Sequence, residues 1–197
     1  EDETLSLVEN IHPYLINAPN IFIEAVSKPL TDVSEMRFGS MPRDGGNLIV
    51  TDEEREELIR LYPQSKEWIR PYIGAREFIN RTYRWVLWLV DINPMELRRY
   101  PKIAEKVEKV RLFRLNSKAA ATRKFAETPS LFCQIAQPED GHYILVPRVS
   151  SEKRRYIPIG FLNHEVIASD ATFMIPEGTL YEFGVLISAT HMAWMRL

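Results

Sequence analysis

Residues 142–162, HYILVPRVSSEKRRYIPIGFL, hold two apolar runs on either side of a short polar segment. The first run covers residues 143–146, and the second covers residues 156–159. Short runs rich in aromatic and β-branched residues are typical of strands, and two of them joined by a polar segment predict a hairpin. We therefore expect a β-hairpin with a basic tip at the centre of the fold.

The tip of this predicted hairpin combines side chains that are suited to reading DNA. They are Arg148, Ser150, Ser151, Glu152, Lys153, Arg154 and Arg155. Arginine can fork onto guanine, glutamate can accept a hydrogen bond from cytosine, and serine can donate or accept. An ordinary solvated hairpin tip has a similar composition, so the segment alone leaves both interpretations open.

The composition is that of a globular protein. Of the 197 residues, 45% are hydrophobic and 11% aromatic, and we expect a single domain over residues 1–197. No apolar run reaches the ~20 residues of a membrane-spanning helix, and no signal peptide is visible. The single cysteine, Cys133, excludes an internal disulfide and favours a cytoplasmic location. Because the sequence starts at Glu1 and stops within an apolar helical pattern, we expect a fragment of a larger protein.

The net charge of −2 hides a strong asymmetry along the chain. Residues 1–60 carry 13 acidic and 5 basic residues, a net charge of −8. Residues 98–124 carry 10 basic and 2 acidic residues, a net charge of +8. A basic segment in a nearly neutral protein indicates a polyanion or an acidic partner surface. The alternative is that the acidic first third folds against this segment and cancels its field.

The hydrophobic pattern predicts an α+β fold, with a mixed, mostly antiparallel sheet and helices packed on it. Besides the hairpin, the predicted strands are residues 21–26, 47–50, 83–91, 131–135, 165–168 and 171–175. The predicted helices are residues 51–62, 64–69, 94–99, 101–126 and 179–195. Residues 27–47 predict a long loop and residues 72–81 a turn-rich connector. Thr51 and Glu54 predict a capping box, which accounts for the acidic run beside them.

The helix predicted over residues 101–126 carries a basic stripe of Lys102, Lys106 and Lys109. Further along the same helix, three cations stand beside the small residues 119–122; they are Lys118, Arg123 and Lys124. Small side chains beside cations let a helix approach a phosphate backbone closely, and Thr122 can add a hydrogen bond. A solvated helix face is the alternative for each of these lysines.

The motifs of a self-sufficient active site are missing from the sequence. It has no glycine-rich phosphate loop and no nucleophile elbow. The four histidines are scattered, and Cys133 has no cysteine or histidine at zinc spacing. Residues 93–95, Asn-Pro-Met, lack the second proline and the aromatic residue with which amino-methylating enzymes stack a flipped base. We therefore expect no catalytic, metal or cofactor site in this chain.

Six stretches occur in an order that is specific to one family. They are SKPL with MRFGSMPRDGG (27–46), AREFIN (75–80), RWVLWLVDINP (84–94), RLFRLNSKAAATRKFAETP (111–129), VPRVSSEKRRYIPIGFL (146–162) and TLYEFGVLISATHMAWMR (179–196). Together they resemble the target recognition domain of the MmeI-like single-chain type II restriction–modification enzymes and their DNA methyltransferase relatives. The resemblance runs from residue 14 to residue 196.

The resemblance implies that this chain supplies sequence specificity to a larger protein. Members of that family carry a nuclease domain, a helical spacer and an adenine-N6 methyltransferase domain upstream of the recognition domain. Double-stranded DNA and the upstream methyltransferase domain are then the partners. S-adenosylmethionine, with Mg²⁺ where DNA is also cleaved, is the cofactor of the parent protein. The resemblance further implies that Arg123 and Lys124 contact the DNA backbone and that residues 150–155 enter the major groove.

Three other hypotheses stay open at this point. The chain could be a protein-interaction domain whose basic helix docks an acidic partner. It could be a stand-alone enzyme with an unfamiliar site, which the missing motifs disfavour. RNA could replace DNA, although no exposed aromatic pair is placed for stacking single-stranded bases.

Overall fold

The computed structural model describes residues 7–13, 15, 17–20, 22, 31–93 and 95–196. The chain divides into two compact units, residues 1–33 and residues 34–197. The described residues of the first unit contain no helix or strand, and Asn10 Nδ2 donates to the carbonyl oxygen of Ala18 at 2.5 Å. The strand predicted over residues 21–26 lies almost entirely outside the described residues. The prediction of one domain over residues 1–197 stays a prediction.

The second unit contains the described helices and strands. The strands are β1 (Arg37–Phe38), β2 (Ile49–Val50), β3 (Ile69–Ile73), β4 (Arg84–Leu87), β5 (His142–Pro147), β6 (Gly160–Asn163), β7 (Ile167–Ala168) and β8 (Thr172–Pro176). The α-helices are α1 (Asp52–Leu61), α2 (Ala75–Asn80), α3 (Pro101–Leu115), α4 (Ala120–Lys124), α5 (Leu180–Leu186) and α6 (Ala189–Trp194). Short 3₁₀ helices cover Pro63–Glu67, Glu96–Arg99 and Phe125–Glu127. The predicted α+β class is confirmed.

The strands form two four-stranded sheets. The first sheet is antiparallel and has the strand order β1–β8–β5–β6. The second has the order β2–β4–β3–β7 and is antiparallel apart from the β3–β7 pair. β4 lies inside its sheet, as the apolar run in residues 83–91 predicts, although the strand itself is shorter.

Strand β5 is buried on both faces, which explains its continuous apolar run. The cluster on one face comprises Tyr143, Leu145, Ile73 and Met174. The cluster on the other face comprises Ile144, Val146, Ile175, Ile159 and Phe183. Because successive side chains of a strand point to opposite faces, β5 packs against two parts of the core. This packing fixes the position at which the chain leaves the sheet after Pro147.

The second arm of the hairpin begins at Gly160 instead of residue 156, so the predicted strand over residues 156–159 is wrong. Leu145 of β5 pairs with Gly160. Continuing this register would place Pro147 opposite Pro158, and neither proline has an N–H for the ladder. Residues 148–159 therefore form a loop, which we call the β5–β6 loop, rather than a tight tip.

Strand β3 is an element that the sequence did not predict, because Pro71 lies within it. Residues 64–69 were expected to be a helix and residues 72–81 a connector. The structure has a 3₁₀ helix, then β3 and α2. The partner strand β7 reaches only Tyr72 and Ile73, so β3 is a sheet edge on that side at Pro71 and proline is tolerated there.

Two predicted helices are each divided in two. The helix expected over residues 101–126 ends as α3 and resumes as α4, because Asn116 and Ser117 favour turns over a helix interior. The helix expected over residues 179–195 breaks at Ser188, whose Oγ caps α6 by accepting from the His191 N–H at 3.1 Å.

Three further predictions need correction, and one is confirmed. Residues 131–135 form only a single bridge, between Gln134 and Met41. Residues 94–99 contain a 3₁₀ helix, and the loop expected over residues 27–47 contains β1. The capping box of α1 is present as predicted: Thr51 Oγ1 accepts from the Glu54 N–H at 3.2 Å, and Glu54 accepts from the Thr51 N–H at 3.1 Å.

Candidate nucleic-acid interface

The β5–β6 loop exposes the polar side chains that the sequence singled out. Ser151, Glu152, Lys153, Arg154 and Arg155 are all exposed. A tight turn presents them: the carbonyl oxygen of Ser151 accepts from the Arg154 N–H at 3.0 Å, and its Oγ accepts from the Lys153 N–H at 3.3 Å. Among the described residues, Glu152 and Lys153 have no ion-pair partner. These side chains are therefore available to a ligand.

Arg148 is held at the start of the loop. Its guanidinium lies over the ring of Phe38 at 4.9 Å and over that of Phe173 at 5.9 Å. Nη1 also donates to the carbonyl oxygen of Asp170 at 3.2 Å. A cation stacked on aromatic faces is oriented by their negative electron density. The geometry makes Arg148 an anchor of the loop as much as a group that could touch a ligand.

An open groove of about 650 Å³ lies beneath the β5–β6 loop. Its floor is largely apolar and includes Val146, Phe173, Leu186 and Met192. Ser150 lines it as well, and Ser150 Oγ is buried without a hydrogen-bond partner in the described part of the chain. The loop thus bridges the first sheet and the helix α6 instead of projecting freely from β5.

The second predicted group lies on helix α4 and on the residues just before it. The side chains of Lys118 and Lys124 are exposed, and neither ammonium group is paired with an acidic side chain in the described structure. Arg123 uses Nη1 to donate to the carbonyl oxygens of Ser117 and Lys118, at 2.8 and 2.9 Å, and keeps Nε and Nη2 free within the described structure. The exposed alanines at 119–121 leave this end of the helix open to close approach.

Thr122 is not available to a ligand in this structure, in contrast to the expectation from the sequence. It is buried at 6% exposure, and its Oγ1 accepts from Arg43 Nη1 at 3.3 Å. Arg43 itself is exposed and has a left-handed backbone, with φ 44°. Its position in a glycine- and proline-rich stretch was the only signal in the sequence that it belongs near the site.

The basic stripe of α3 is neutralised by acidic side chains. Lys102 pairs with Glu57 of helix α1, and Lys106 Nζ lies 2.8 Å from Oε1 of Glu54, which is also in α1. Two more pairs lie along α3 itself, Lys109–Glu105 and Arg111–Glu108. The alternative that an acidic segment folds against the basic one therefore holds for α3. Beyond Leu115, the cations of α4 have no acidic partner among the described residues.

Arg114 belongs to the interior rather than to the basic surface. It is 0% exposed, and its guanidinium donates to five backbone carbonyl oxygens at 2.7–3.1 Å. The carbonyls are those of Pro42, Arg43, Phe125, Thr128 and Leu131. Burial lowers the pKa of this guanidinium from its ordinary value. Arg114 thereby fixes the end of α4 to the segment that carries Arg43.

A strip of chain, residues 40–44, connects the two predicted groups. On one side Asp170, which accepts from Arg148, donates its N–H to the carbonyl oxygen of Ser40 at 3.2 Å. On the other side Arg43 donates to Thr122 of α4. A groove of about 390 Å³ lies along this strip, with Arg43, Arg84 and Asp170 in its walls. Hydrogen bonds through this strip thus link the start of the β5–β6 loop to α4.

Comparisons with known proteins identify the family of this chain. The sequence model of the family described as "MmeI, target recognition domain" matches residues 17–197. The chain belongs to the MmeI target recognition domain family. This target recognition domain is 36% identical over 195 residues to DNA methyltransferase A of Bacillus subtilis (strain 168). It is also similar to the type IIL restriction–modification enzyme MmeI in its structure with DNA, with 41% identity and a TM-score of 0.84.

Both relatives are much longer than this target recognition domain. The match covers 99% of this chain but 22% of the methyltransferase and 26% of the MmeI chain. The resemblance inferred from the six motifs is confirmed. In the described residues, no group of three or more His, Cys, Asp or Glu side chains could hold a metal ion, and no helix is long and apolar enough to cross a membrane.

Proposed function

We propose that this target recognition domain binds duplex DNA and reads its sequence on behalf of a larger restriction–modification protein. The observation that carries the proposal is the β5–β6 loop, whose exposed Glu152, Lys153, Arg154 and Arg155 stand on a backbone anchored at its start by Arg148. Arginine can fork onto guanine O6 and N7, and glutamate accepts from cytosine N4 in the major groove. Ser151, which is exposed, supplies a shorter contact at the base of the loop, whereas the expectation that Ser150 contacts DNA is not supported, because its Oγ is buried.

Helix α4 contributes contacts to the DNA backbone in this proposal. Lys118 and Lys124 are unpaired within the described structure, and Arg123 retains free donors. Contacts to phosphate position a protein on the duplex without reading its sequence. The hydrogen bond from Arg43 to Thr122 ties α4 to residues 40–44, the strip that leads to the start of the β5–β6 loop.

The methyl transfer belongs elsewhere in the parent protein. We propose that an upstream catalytic domain transfers a methyl group from S-adenosylmethionine to N6 of a target adenine, which this domain holds in register. The described residues do not fit that cofactor, since the chain has no glycine-rich loop and no Asn-Pro-Pro-aromatic motif. Such chemistry needs an adenine flipped out of the duplex, and a firmly docked recognition domain supplies the fixed reference point. The proposed setting is the cytoplasm of a bacterial cell.

The protein-interaction hypothesis loses its main support. It required the basic helix to dock an acidic partner, but Lys102 and Lys106 of α3 already pair with α1 of the same chain. Of the cations singled out as DNA contacts, those near α4 and in the β5–β6 loop have no acidic partner in the described structure.

The proposal is tested by selecting bound sequences from a library of randomised duplex DNA with the full chain. Enrichment of one motif is expected, with an affinity that falls as salt rises because counterions are released from the duplex. Mapping of methylated adenines in host cells with and without the complete gene should return the same motif. Binding without any sequence preference, or no binding at low salt, would contradict the proposal.

A further inference from the structure

The backbone of the β5–β6 loop is held from the side of helix α6 by one arginine. Arg196 Nη2 donates to the carbonyl oxygen of Arg154 at 2.8 Å and to that of Arg155 at 2.9 Å. One guanidinium thus binds two successive carbonyl groups at the point where the loop carries its two adjacent arginines.

Few other hydrogen bonds restrain the backbone of this part of the loop. Within residues 149–159, the hydrogen bonds to protein groups outside the loop that the described structure contains are the two from Arg196. The remaining bonds are internal and form the turn at Ser151. The loop is fixed at its ends by Arg148 and by Ile159, which packs in the core. Without Arg196, the segment between these ends would have more conformations available.

The backbone of Arg196 is held by hydrogen bonds and packing of helix α6. Its own N–H donates to the carbonyl oxygen of Ala193 at 3.2 Å, so the last turn of the chain continues α6. The helix is seated by Met192, which is 7% exposed, and is capped by Ser188. The guanidinium therefore presents its donors from a position set by packed structure.

We propose that Arg196 is a positioning residue for sequence readout: by binding the carbonyl groups of Arg154 and Arg155, it sets the direction in which these two side chains meet the base edges. The inference rests on the proposed function of the loop. Forked contacts of arginine with guanine tolerate little misplacement, because both hydrogen bonds depend on the plane of the guanidinium. A residue that need not touch DNA would then determine specificity.

Four versions of the full chain test this inference: wild type, Arg196→Ala, Arg196→Lys and the control Arg60→Ala. Arg60 is exposed at the end of α1, and its loss changes the net charge by the same amount. Each version is challenged with randomised duplex DNA, and the bound sequences are determined. The affinities for the selected motif and for random duplex are then measured over a range of salt concentrations. Circular dichroism checks that each version is folded. If Arg196→Ala does not fold, Arg196→Lys is compared with the wild type instead.

For Arg196→Ala we expect a broader motif and a fall of about tenfold in the ratio of the two affinities. Its affinity for random duplex and the slope of that affinity with salt should match those of Arg60→Ala. Arg196→Lys should restore part of the ratio, since an ammonium group can still reach a carbonyl oxygen. The Arg60→Ala control should keep the wild-type motif.

Two results would overturn the inference. One is an unchanged motif and affinity ratio in Arg196→Ala. The other is an equal loss for motif and random duplex with a salt slope reduced by about 0.9, which would make Arg196 a phosphate contact. If the wild-type chain selects no motif at all, the proposed function itself fails, and the two failures are thereby distinguishable.

Discussion

Lys106 of helix α3 is ion-paired with Glu54 of helix α1, with 2.8 Å between Lys106 Nζ and Glu54 Oε1. The same Nζ donates to the carbonyl oxygen of Ile49 at 3.3 Å. With the neighbouring Lys102–Glu57 pair, this contact turns the basic stripe of α3 towards an acidic helix. Among the predicted basic groups, α3 is therefore compensated by acidic side chains, whereas the cations near α4 and in the β5–β6 loop have no acidic partner in the described structure.

The first prediction compares two lysines whose removal changes the net charge equally. Lys102→Ala should change the affinity for duplex DNA by less than about twofold, because Lys102 is already paired with Glu57. Lys124→Ala should weaken binding to all sequences alike and reduce the salt slope by about 0.9. Fluorescence anisotropy with random duplex at several salt concentrations measures both. A larger loss for Lys102 than for Lys124 would contradict this assignment.

The second prediction concerns pH. Burial raises the pKa of Glu54, but hydrogen bonds from Lys106 and from the backbone of Thr51 outweigh it and bring the pKa below its ordinary value of 4.5. A carboxyl group whose pKa is lowered on folding contributes stability above pH 4.5, and that contribution is lost as the pH falls through the folded-state pKa. In Lys106→Met, an NMR titration should show a higher pKa for Glu54. An unchanged value would mean that the ion pair does not form in solution.

The third prediction concerns base reading by the β5–β6 loop. Arg154→Ala should relax the preference at one base pair of the motif and cost about 1–3 kcal/mol of discrimination if the contact is bidentate. Arg155, whose guanidinium lies 5.3 Å from the ring of Tyr156, should affect a neighbouring position in the same way. The check is the motif that each variant selects from randomised duplex. Equal weakening of random and preferred DNA would show that the loop is not the reader.

The fourth prediction concerns the buried Arg114. Arg114→Met should lower the free energy of unfolding by about 3 kcal/mol or more, because the five carbonyl oxygens it binds would lose a charged donor in a buried site. The matched control is Arg111→Met on the same helix, which removes only an exposed ion pair with Glu108 and should cost less than about 1 kcal/mol. Urea unfolding followed by tryptophan fluorescence measures both. Similar losses of unfolding free energy in the two variants would show that the five hydrogen bonds of Arg114 do not stabilise the fold more than an exposed ion pair does.

The fifth prediction contrasts two glycines. A Cβ atom at Gly39 would lie 2.2 Å from the carbonyl oxygen of Ser169, so Gly39→Ala should destabilise the fold by about 1–3 kcal/mol. A Cβ atom at Gly184 in α5 would meet nothing within 4 Å, so Gly184→Ala should stabilise by about 0.5–1 kcal/mol. Thermal unfolding of both variants gives the answer. A Gly39→Ala variant as stable as the wild type would show that the backbone just after β1 does not approach Ser169 this closely.

Local interactions account for the parts of the fold that were predictable. The capping box joins residues only three apart, so a short pattern contains both partners. The continuous apolar run of β5 likewise predicts a strand buried on both faces, without knowledge of the elements that pack against it. The exposed loop between β5 and β6 followed from its polar composition. Where two effects competed, as at Pro71 and Pro158, the pairing partner decided the outcome.

The amino-acid sequence by itself thus determined the α+β class, the family and the segments that carry the candidate interface. Only the tertiary structure decided which charges stay available. Arg114 was buried, Lys102 and Lys106 were paired with α1, and Arg196 was brought to the backbone of the loop. The physical reason is distance along the chain. The partners of these side chains lie far away in sequence, and packing of the core, not local pattern, brings them within hydrogen-bonding range.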